Sequence, residues 1–185
     1  MMRFDPKNTL ILVALEEELP KEMIPSWNVV YTGVGKVNAA LKGSQYVARH
    51  KPMNLINFGT AGAFNPKLTG LLEVTQFFQR DMDARDLGFA LGQTPFEEAP
   101  YFSAHRHGLS CGTGDSFVTA PTELPTDLVD MEAFALAKLA QMADIHFSCF
   151  KYVSDQADVN SPSAWKDNLA NASHAFINEI LANHV

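Results

Sequence analysis

Continuous apolar runs alternate along the chain with segments of helical periodicity. The runs are short and rich in Leu, Ile, Val and Phe, which is typical of strands buried on both faces of a sheet. They predict six strands, over residues 9–15, 28–32, 53–58, 71–78, 109–113 and 145–153. The periodic segments predict three helices, over residues 36–50, 130–143 and 164–183. Strands that alternate with helices indicate an α/β fold with a largely parallel sheet.

The composition is that of one ordinary globular domain, residues 1–185. Hydrophobic residues make up 46% of the chain, and neither an internal repeat nor a Pro- or Gly-rich linker divides it. The net charge of −7, with scattered lysines and arginines, excludes a general nucleic-acid binder, whose affinity depends on clustered basic residues. No apolar stretch approaches the ~20 residues of a membrane-spanning helix. Only two cysteines occur, so we expect a reducing, cytoplasmic setting.

Polar residues follow four of the predicted strands. They are Glu16–Glu18, the predicted turn Gly59–Gly62, Gly114–Phe117 and Ser154–Asp158. Ligands of open α/β sheets bind outside the carboxyl ends of the strands, so these residues predict an acid/base site at one edge of the sheet. Each motif also has a purely structural explanation. The glutamates can offset the dipole at the start of a helix, and Ser154 with Asp155 can cap a turn.

Two further motifs predict structure rather than chemistry. Gly33–Lys36 indicates a tight strand-to-helix turn, because it lacks the glycine spacing and the Ser or Thr after Lys that a phosphate-binding loop requires. Residues 93–106 carry little periodicity and predict a surface excursion. His105 and His107 belong to this polar region without a third ligand nearby, so we predict no metal site.

Six sequence blocks occur in the order found in one enzyme superfamily. They are Ala14–Glu18, Gly33–Ala40, Gly59–Gly62, Gly114–Val118, Val129–Ala133 and Val153–Asp158. In these blocks the chain resembles the purine nucleoside phosphorylase/nucleosidase superfamily, and most nearly its methylthioadenosine/S-adenosylhomocysteine nucleosidases. The resemblance implies a three-layer α/β/α fold with a central, mostly parallel but mixed sheet. It also implies a purine nucleoside as substrate and no cofactor.

The resemblance implies a catalytic role for two carboxylates. Glu18 matches the residue that activates the attacking water, and Asp155 matches the acid that protonates N7 of the leaving purine. Glu132 matches the carboxylate that accepts hydrogen bonds from the ribose hydroxyls. The glycosidic bond breaks through a cationic, oxocarbenium-like sugar, so an acid and a base on its two faces suit hydrolysis with inversion.

The resemblance also implies a set of substrate-binding residues. Besides Glu132 they are Thr60, Ala61, Gly62, Phe117, Val118, Met131 and Ser154. Phe117 matches the aromatic residue that stacks on the purine, and the backbone of Val118 would contact the purine edge. Met131 would lie against the sugar, and Ser154 would help to orient the base. Thr60 stands where the family often has Ser, near the attacking water.

Hydrolysis is favoured over phosphorolysis by the region after the first strand. Phosphorylases of the superfamily hold phosphate with arginines, one of them in this region, whereas no arginine occurs here between Arg3 and Arg49. A phosphate-dependent phosphorylase and an inactive nucleoside-binding homologue stay open as alternatives. The family is usually dimeric or larger, so the resemblance implies a homodimer.

Three segments depart from the family's pattern. Residues 24–31 and 90–108 are short, and the block Arg80–Arg85 replaces a His-Asp-Ala-Asp motif. In relatives these segments shape the pocket for the 5′ substituent, so the exact nucleoside stays open. Within the last block, Asp83 and Arg85 are predicted to pair with each other at the surface.

Overall fold

The computed structural model describes residues 4–97, 101–103, 108–157 and 161–182. Within these ranges eight strands form one sheet: β1 Thr9–Val13, β2 Asn28–Tyr31, β3 Asn54–Ala63, β4 Gly70–Gln79, β5 Tyr101–Ser103, β6 Leu109–Thr113, β7 Leu128–Asp130 and β8 His146–Asp155. The helices are α1 Lys36–His50, α2 Ala133–Met142 and α3 Ser161–Phe176, the last continued by a π-helical turn over Ile177–Leu181. None of these helices is long and apolar enough to cross a membrane.

The sheet is mixed, with parallel pairs in the majority. Strands β2, β1, β3 and β8 run parallel to one another. Strands β4, β6 and β7 run in the opposite direction, since β4 is antiparallel to β8 and β7 is antiparallel to β3. The pairs β3–β8, β8–β4, β4–β6, β6–β7 and β7–β3 close into a ring. The prediction of a mostly parallel, mixed sheet is confirmed.

Helices cover both faces of the sheet. The alternation of side chains along β1 separates the two cores: Leu10 and Leu12 pack into the cluster that includes α1 and α2, whereas Ile11 and Val13 pack into the cluster that includes α3. A strand buried on both faces reads as an unbroken apolar run, which is the pattern that the sequence shows there. The three-layer α/β/α architecture is confirmed.

Several predicted boundaries differ from the observed ones. The helix predicted over residues 36–50 and the strand predicted over 109–113 are α1 and β6. The prediction of a turn at Gly59–Gly62 is wrong. This stretch pairs with β8, and β3 therefore continues through it to Ala63. α2 begins only at Ala133, after the short strand β7, which the sequence did not indicate.

The predicted surface excursion over residues 93–106 is also not wholly irregular. Its residues 101–103 form β5, which pairs antiparallel with β4. Hydrogen bonding to the edge of the sheet supplies order that the polar, aperiodic sequence does not indicate. His105 and His107 lie outside the described residues.

Candidate active site

One pocket contains all ten residues that the resemblance singled out. They are Glu18, Thr60, Ala61, Gly62, Phe117, Val118, Met131, Glu132, Ser154 and Asp155. The pocket lies at the carboxyl ends of the parallel strands β1, β3 and β8, the end at which ligands of α/β sheets bind. Residues after β6 and β7 reach it for another reason. These two strands run in the opposite direction, but β7 pairs antiparallel with the carboxyl end of β3 at Gly62 and Ala63.

Glu18 differs from the other two glutamates of its run. The three residues form a 3₁₀ turn after β1 in which Glu16 and Glu17 are exposed, while Glu18 is only 4% exposed. Its Oε1 accepts hydrogen bonds from the N–H (2.9 Å) and the hydroxyl (2.8 Å) of Thr60, and its Oε2 accepts one from the N–H of Leu15 (3.3 Å). These donors hold the carboxylate in one orientation inside the pocket.

Asp155 owes its position to an irregularity in the β3–β8 pairing. Ala61 pairs with Val153 but Gly62 pairs with Asp155, so the strand register shifts by one residue at Ser154. Such bulges re-aim side chains next to active sites. The Ser154 hydroxyl donates a hydrogen bond to Oδ2 of Asp155 (2.7 Å), and the N–H of Ala157 donates one to Oδ1 (2.8 Å).

Gly62 permits Asp155 to lie directly against β3. A Cβ added at Gly62 would lie 3.0 Å from Oδ1 of Asp155 and 3.1 Å from Cβ of Ala157. Thr60, which binds Glu18, precedes Gly62 by two residues on the same strand. Since a strand rises about 3.3 Å per residue, the two carboxylates contact β3 at points ~6.6 Å apart.

Glu132 lies between the ends of β7 and α2 and is 8% exposed. Its Oε1 accepts a hydrogen bond from the N–H of Gly35 (2.8 Å), at the start of α1. Burial, followed by the charge of Asp130, raises the pKa of Glu132 to about 8. Gly33 and Gly35 have φ values of +83° and +95°, which favour glycine. The predicted tight turn is confirmed, and it also supplies this N–H.

A salt bridge lies beneath the pocket. Lys151 Nζ contacts Asp130 Oδ2 at 2.8 Å, with both side chains 1% exposed. Asp130 also accepts hydrogen bonds from the Thr113 hydroxyl (2.6 Å) and the N–H of Ala133 (2.8 Å). Burial alone raises the pKa of Asp130, but the charge of Lys151 and the hydrogen bonds from Lys151, Thr113 and Ala133 together outweigh this effect and lower it. Burial lowers the pKa of Lys151, and the carboxylate raises it above its usual range.

These charges belong together. Glu18, Asp130, Glu132 and Lys151 are hereafter the buried charge cluster. A Cβ added at Gly59 would lie 3.4 Å from Oε1 of Glu18 and 3.5 Å from Nζ of Lys151, so both groups face the same point of β3. Acidic side chains outnumber the single cation, which makes this part of the pocket suited to a ligand that develops positive charge.

A further part of the pocket is formed by residues 116–118, which belong to the segment 114–118 after β6, hereafter the aromatic turn. Phe117 of this turn is 52% exposed and Val118 is half-buried, and both line the pocket. An aromatic face that is not covered by the protein's own side chains is available to stack on a planar ligand. Met131, half-buried, lines the pocket next to Glu132.

Seven lining residues were not predicted: Ala14, Leu15, Val34, Arg80, Ser116, Val129 and Asp130. All but Arg80 belong to the six sequence blocks, so the blocks already contained their signal. Arg80 belongs to the block Arg80–Arg85, which departs from the family's pattern. Its contact with the aromatic turn was not indicated, because that contact depends on β4 lying beside β6. The prediction for Asp83 and Arg85 is confirmed: they pair at 2.6 Å with half-exposed side chains, and Arg85 also binds Glu123.

Comparison with known proteins gives the same family. The family model of the phosphorylase superfamily matches residues 26–112 and 98–182. A 5′-methylthioadenosine/S-adenosylhomocysteine nucleosidase of Anoxybacillus flavithermus is 31% identical over 170 residues, which cover 77% of this chain and 73% of the relative.

Solved structures share the fold. The nucleosidase of Colwellia psychrerythraea, crystallised with adenine, superimposes with a TM-score of 0.81 at 23% identity, over 94% of this chain and 93% of that one. The futalosine hydrolase of Helicobacter pylori gives a TM-score of 0.84 at 18% identity, over 95% and 97%. The order of the sequence blocks, the fold and the family match agree, and the chain belongs to the phosphorylase superfamily, in the branch of the 5′-methylthioadenosine/S-adenosylhomocysteine nucleosidases.

Proposed function

We propose that this protein hydrolyses the N-glycosidic bond of 5′-methylthioadenosine or S-adenosylhomocysteine and releases adenine. The observation that carries the proposal is the pair Glu18 and Asp155, which contact the same strand two residues apart inside one pocket. Inverting glycosidases also use two carboxyl groups, which flank the scissile bond and leave room for a water molecule. The relatives named as nucleosidases carry the same activity in their names.

In this mechanism the two carboxyl groups act from opposite sides of the sugar. Asp155 donates a proton to N7 of the adenine, which becomes a better leaving group as the glycosidic bond lengthens. Glu18 accepts a proton from the water that attacks the anomeric carbon. Glu132 accepts hydrogen bonds from the ribose hydroxyls. The surplus of negative charge in the buried charge cluster stabilises the cationic sugar in the transition state.

The base would bind at the aromatic turn. Phe117 is exposed within the pocket and can stack on the purine ring. The backbone of Val118 offers a donor and an acceptor for the purine edge. Ser154 already donates its hydroxyl to Asp155, which orients the acid toward the base.

Water rather than phosphate is the proposed nucleophile because the described cations at the pocket are engaged by the protein. Arg80, the one arginine among the described lining residues, donates to the carbonyls of Gly114 and Ser116. Lys151 is bound to Asp130 and 1% exposed. A phosphate dianion beside Glu18 would therefore meet like charge without a free cation among the described lining residues to offset it.

The test is adenine release from 5′-methylthioadenosine and from S-adenosylhomocysteine, measured with and without phosphate. We expect release in the absence of phosphate. Glu18→Gln and Asp155→Asn should each lower kcat at least ~100-fold, as expected for loss of a general base or acid, while binding of the nucleoside persists. Glu17→Gln is the matched control, since Glu17 belongs to the same run but is exposed, and it should leave kcat unchanged.

The other outcomes separate the alternatives. Release only when phosphate is present would make the protein a phosphorylase. Tight nucleoside binding without release would make it an inactive binding homologue. Full activity of Asp155→Asn would contradict the role of Asp155 as the acid.

The proposal includes a homodimer in the cytoplasm. Val34, Val37 and Leu41 form an exposed apolar stripe at the start of α1, with 41%, 66% and 57% of their surfaces exposed. Val34 also lines the pocket, so a second copy packed on the stripe would adjoin the site. Light scattering after size-exclusion chromatography should give twice the chain mass, and Val37→Asp with Leu41→Asp should give a monomer. A wild-type monomer would contradict this part.

A further inference from the structure

The aromatic turn lacks regular secondary structure, although Phe117 and Val118 need a defined position to bind a planar base. Asp115, Ser116 and Phe117 are exposed, so hydrophobic burial does not hold the turn. Its only link to a strand by backbone hydrogen bonding among the described residues is the N–H of Gly114, which donates to the carbonyl of Asp130 (3.1 Å). Side chains from elsewhere in the chain must therefore fix the rest.

Arg80 supplies the first of these contacts. Its terminal nitrogen Nη2 donates to the carbonyl oxygens of Gly114 (3.1 Å) and Ser116, and its terminal nitrogen Nη1 donates to the hydroxyl of Ser116 (3.2 Å). A Cβ added at Gly114 would lie 2.7 Å from Cζ of Arg80. Gly114 thus leaves the space in which the planar guanidinium lies against the turn, and the fork of an arginine is suited to two acceptors at once.

Three charged residues supply the second set of contacts. Asp81 accepts a hydrogen bond from the N–H of Asp115 (2.9 Å) and binds the ammonium of Lys36. The carboxylate of Asp115 in turn accepts the N–H of Lys36 (2.7 Å) and lies 3.8 Å from its Nζ. Although partial burial raises the pKa of Asp81, hydrogen bonds from Lys36 and from the Asp115 N–H lower it below its usual value.

These contacts tie the aromatic turn to the start of α1 and to the end of β4. Gly35, next to Lys36, donates to Glu132 of the buried charge cluster. A Cβ added at Gly35 would lie 3.0 Å from Oδ1 of Asp115, so the carboxylate lies directly on the glycine backbone. Gly35 and Lys36, at the start of α1, therefore contact both Glu132 and the aromatic turn.

We propose that Lys36, Arg80, Asp81 and Asp115, hereafter the polar clamp, are positioning residues that hold Phe117 and Val118 where the adenine base binds. This inference rests on the proposed function. Binding of the base to a turn that is already ordered avoids the entropy of ordering it at that moment. The carboxylates that break the bond belong to other elements, so a loosened clamp weakens substrate binding more than it slows the chemical step.

Arg80→Met and Asp81→Asn test the proposal. We expect each to raise KM for 5′-methylthioadenosine and Kd for adenine about tenfold, as for loss of charge-assisted hydrogen bonds, with kcat within about threefold of wild type. Arg80→Lys should not restore KM, because a lysine has one donor nitrogen, whereas the guanidinium uses two nitrogens to bind the carbonyls and the Ser116 hydroxyl. Backbone amides of residues 114–118 should exchange with deuterium faster in the variants, while Tm changes little.

Arg85→Met is the matched control. Arg85 lies in the same segment and binds two carboxylates, but it is outside the pocket lining, so KM, Kd and exchange at 114–118 should stay at wild-type values. Unchanged KM and Kd in Arg80→Met and Asp81→Asn, or equal changes in Arg85→Met, would overturn the proposed role of the polar clamp.

If the wild type binds adenine but cleaves neither nucleoside, the proposed function fails. The Kd for adenine and the amide exchange then still test the role of the clamp. If the wild type does not bind adenine, both fail.

Discussion

The buried charge cluster and the aromatic turn line the same pocket but are held in different ways. The buried charge cluster is almost wholly removed from solvent, and backbone N–H groups orient its carboxylates. The aromatic turn is exposed and is held mainly by the side chains of the polar clamp. Buried charges depend on the surrounding fold for every partner, whereas an exposed turn exchanges protein contacts for water at low cost.

This difference predicts how each region responds to substitution. Changes in the buried charge cluster should alter the free energy of unfolding, because a buried charge without its partner is strongly unfavourable. Changes at the aromatic turn should alter ligand binding and leave stability nearly unchanged. The following substitutions test that contrast.

The largest expected effect is that of Lys151→Met. It leaves Asp130 as a buried carboxylate without its cation, and loss of one partner of a buried pair typically lowers the free energy of unfolding by ~3–5 kcal/mol. Urea denaturation monitored by circular dichroism measures the change. The double variant Lys151→Met/Asp130→Asn should recover more than half of the loss, since the unpaired charge is gone. If Lys151→Met is as stable as wild type, the expectation that the buried charge cluster governs stability is contradicted.

Glu132→Gln should separate stability from function. Because the folded protein raises the pKa of Glu132 from 4.5 to about 8, the contribution of this group to stability is present below pH 4.5 and is lost as the pH rises through 8. The glutamine variant does not undergo this loss. Its Tm should exceed that of wild type at pH 9 and approach it at pH 4.5. Turnover should fall most above pH 8, where wild-type Glu132 is charged and the variant deprives the ribose of an anionic acceptor.

Thermal denaturation at both pH values, with Glu17→Gln as an exposed control, checks this expectation. Each kcal/mol of relative stability corresponds to about 2–4 °C in Tm for a chain of this size. A Tm difference between Glu132→Gln and wild type that is the same at pH 4.5 and pH 9 would show that the charge of Glu132 does not oppose folding.

The smallest effect on stability is expected for Phe117→Ala. Phe117 is 52% exposed, so its removal forfeits little burial and should leave Tm within about 2 °C. Loss of the stacking surface should raise KM for 5′-methylthioadenosine by about 3–10-fold, equivalent to a ring–ring contact of ~0.5–1.5 kcal/mol. Phe96→Ala is the control, because Phe96 is 94% exposed and outside the pocket lining. A stability loss without a change in KM would contradict the role of the turn.

The elements that local pattern predicted well are those with an unbroken signal. Helix α1 has uninterrupted helical spacing between two glycines and a left-handed Lys51, and its predicted ends coincide with the observed ones. The segment Gly59–Gly62 misled the prediction because glycines and small residues are typical of turns. Its backbone is held in β3 by hydrogen bonds to β8, a partner some ninety positions away in the chain, and pairing of this kind overrides local propensity.

The candidate site divides in the same manner. The ten residues indicated by the sequence blocks line one pocket, while their individual roles stay predictions that the variants above test. The contact of Arg80 with the aromatic turn was not indicated by the sequence, since it depends on β4 and β6 being neighbours in the sheet. The register shift at Ser154 also leaves no trace in the sequence, because a bulge arises from how two strands pair rather than from either strand alone.

The sequence by itself determined the layered α/β architecture, the family and the set of residues at the pocket, because hydrophobic periodicity and ordered motifs are properties of the chain read in one dimension. The tertiary structure alone decided that β7 pairs antiparallel with β3, that Asp155 lies against Gly62, and that Lys151 neutralises Asp130 beneath the site. These are contacts between distant segments. Their energies depend on burial and distance, which exist only once the chain has folded.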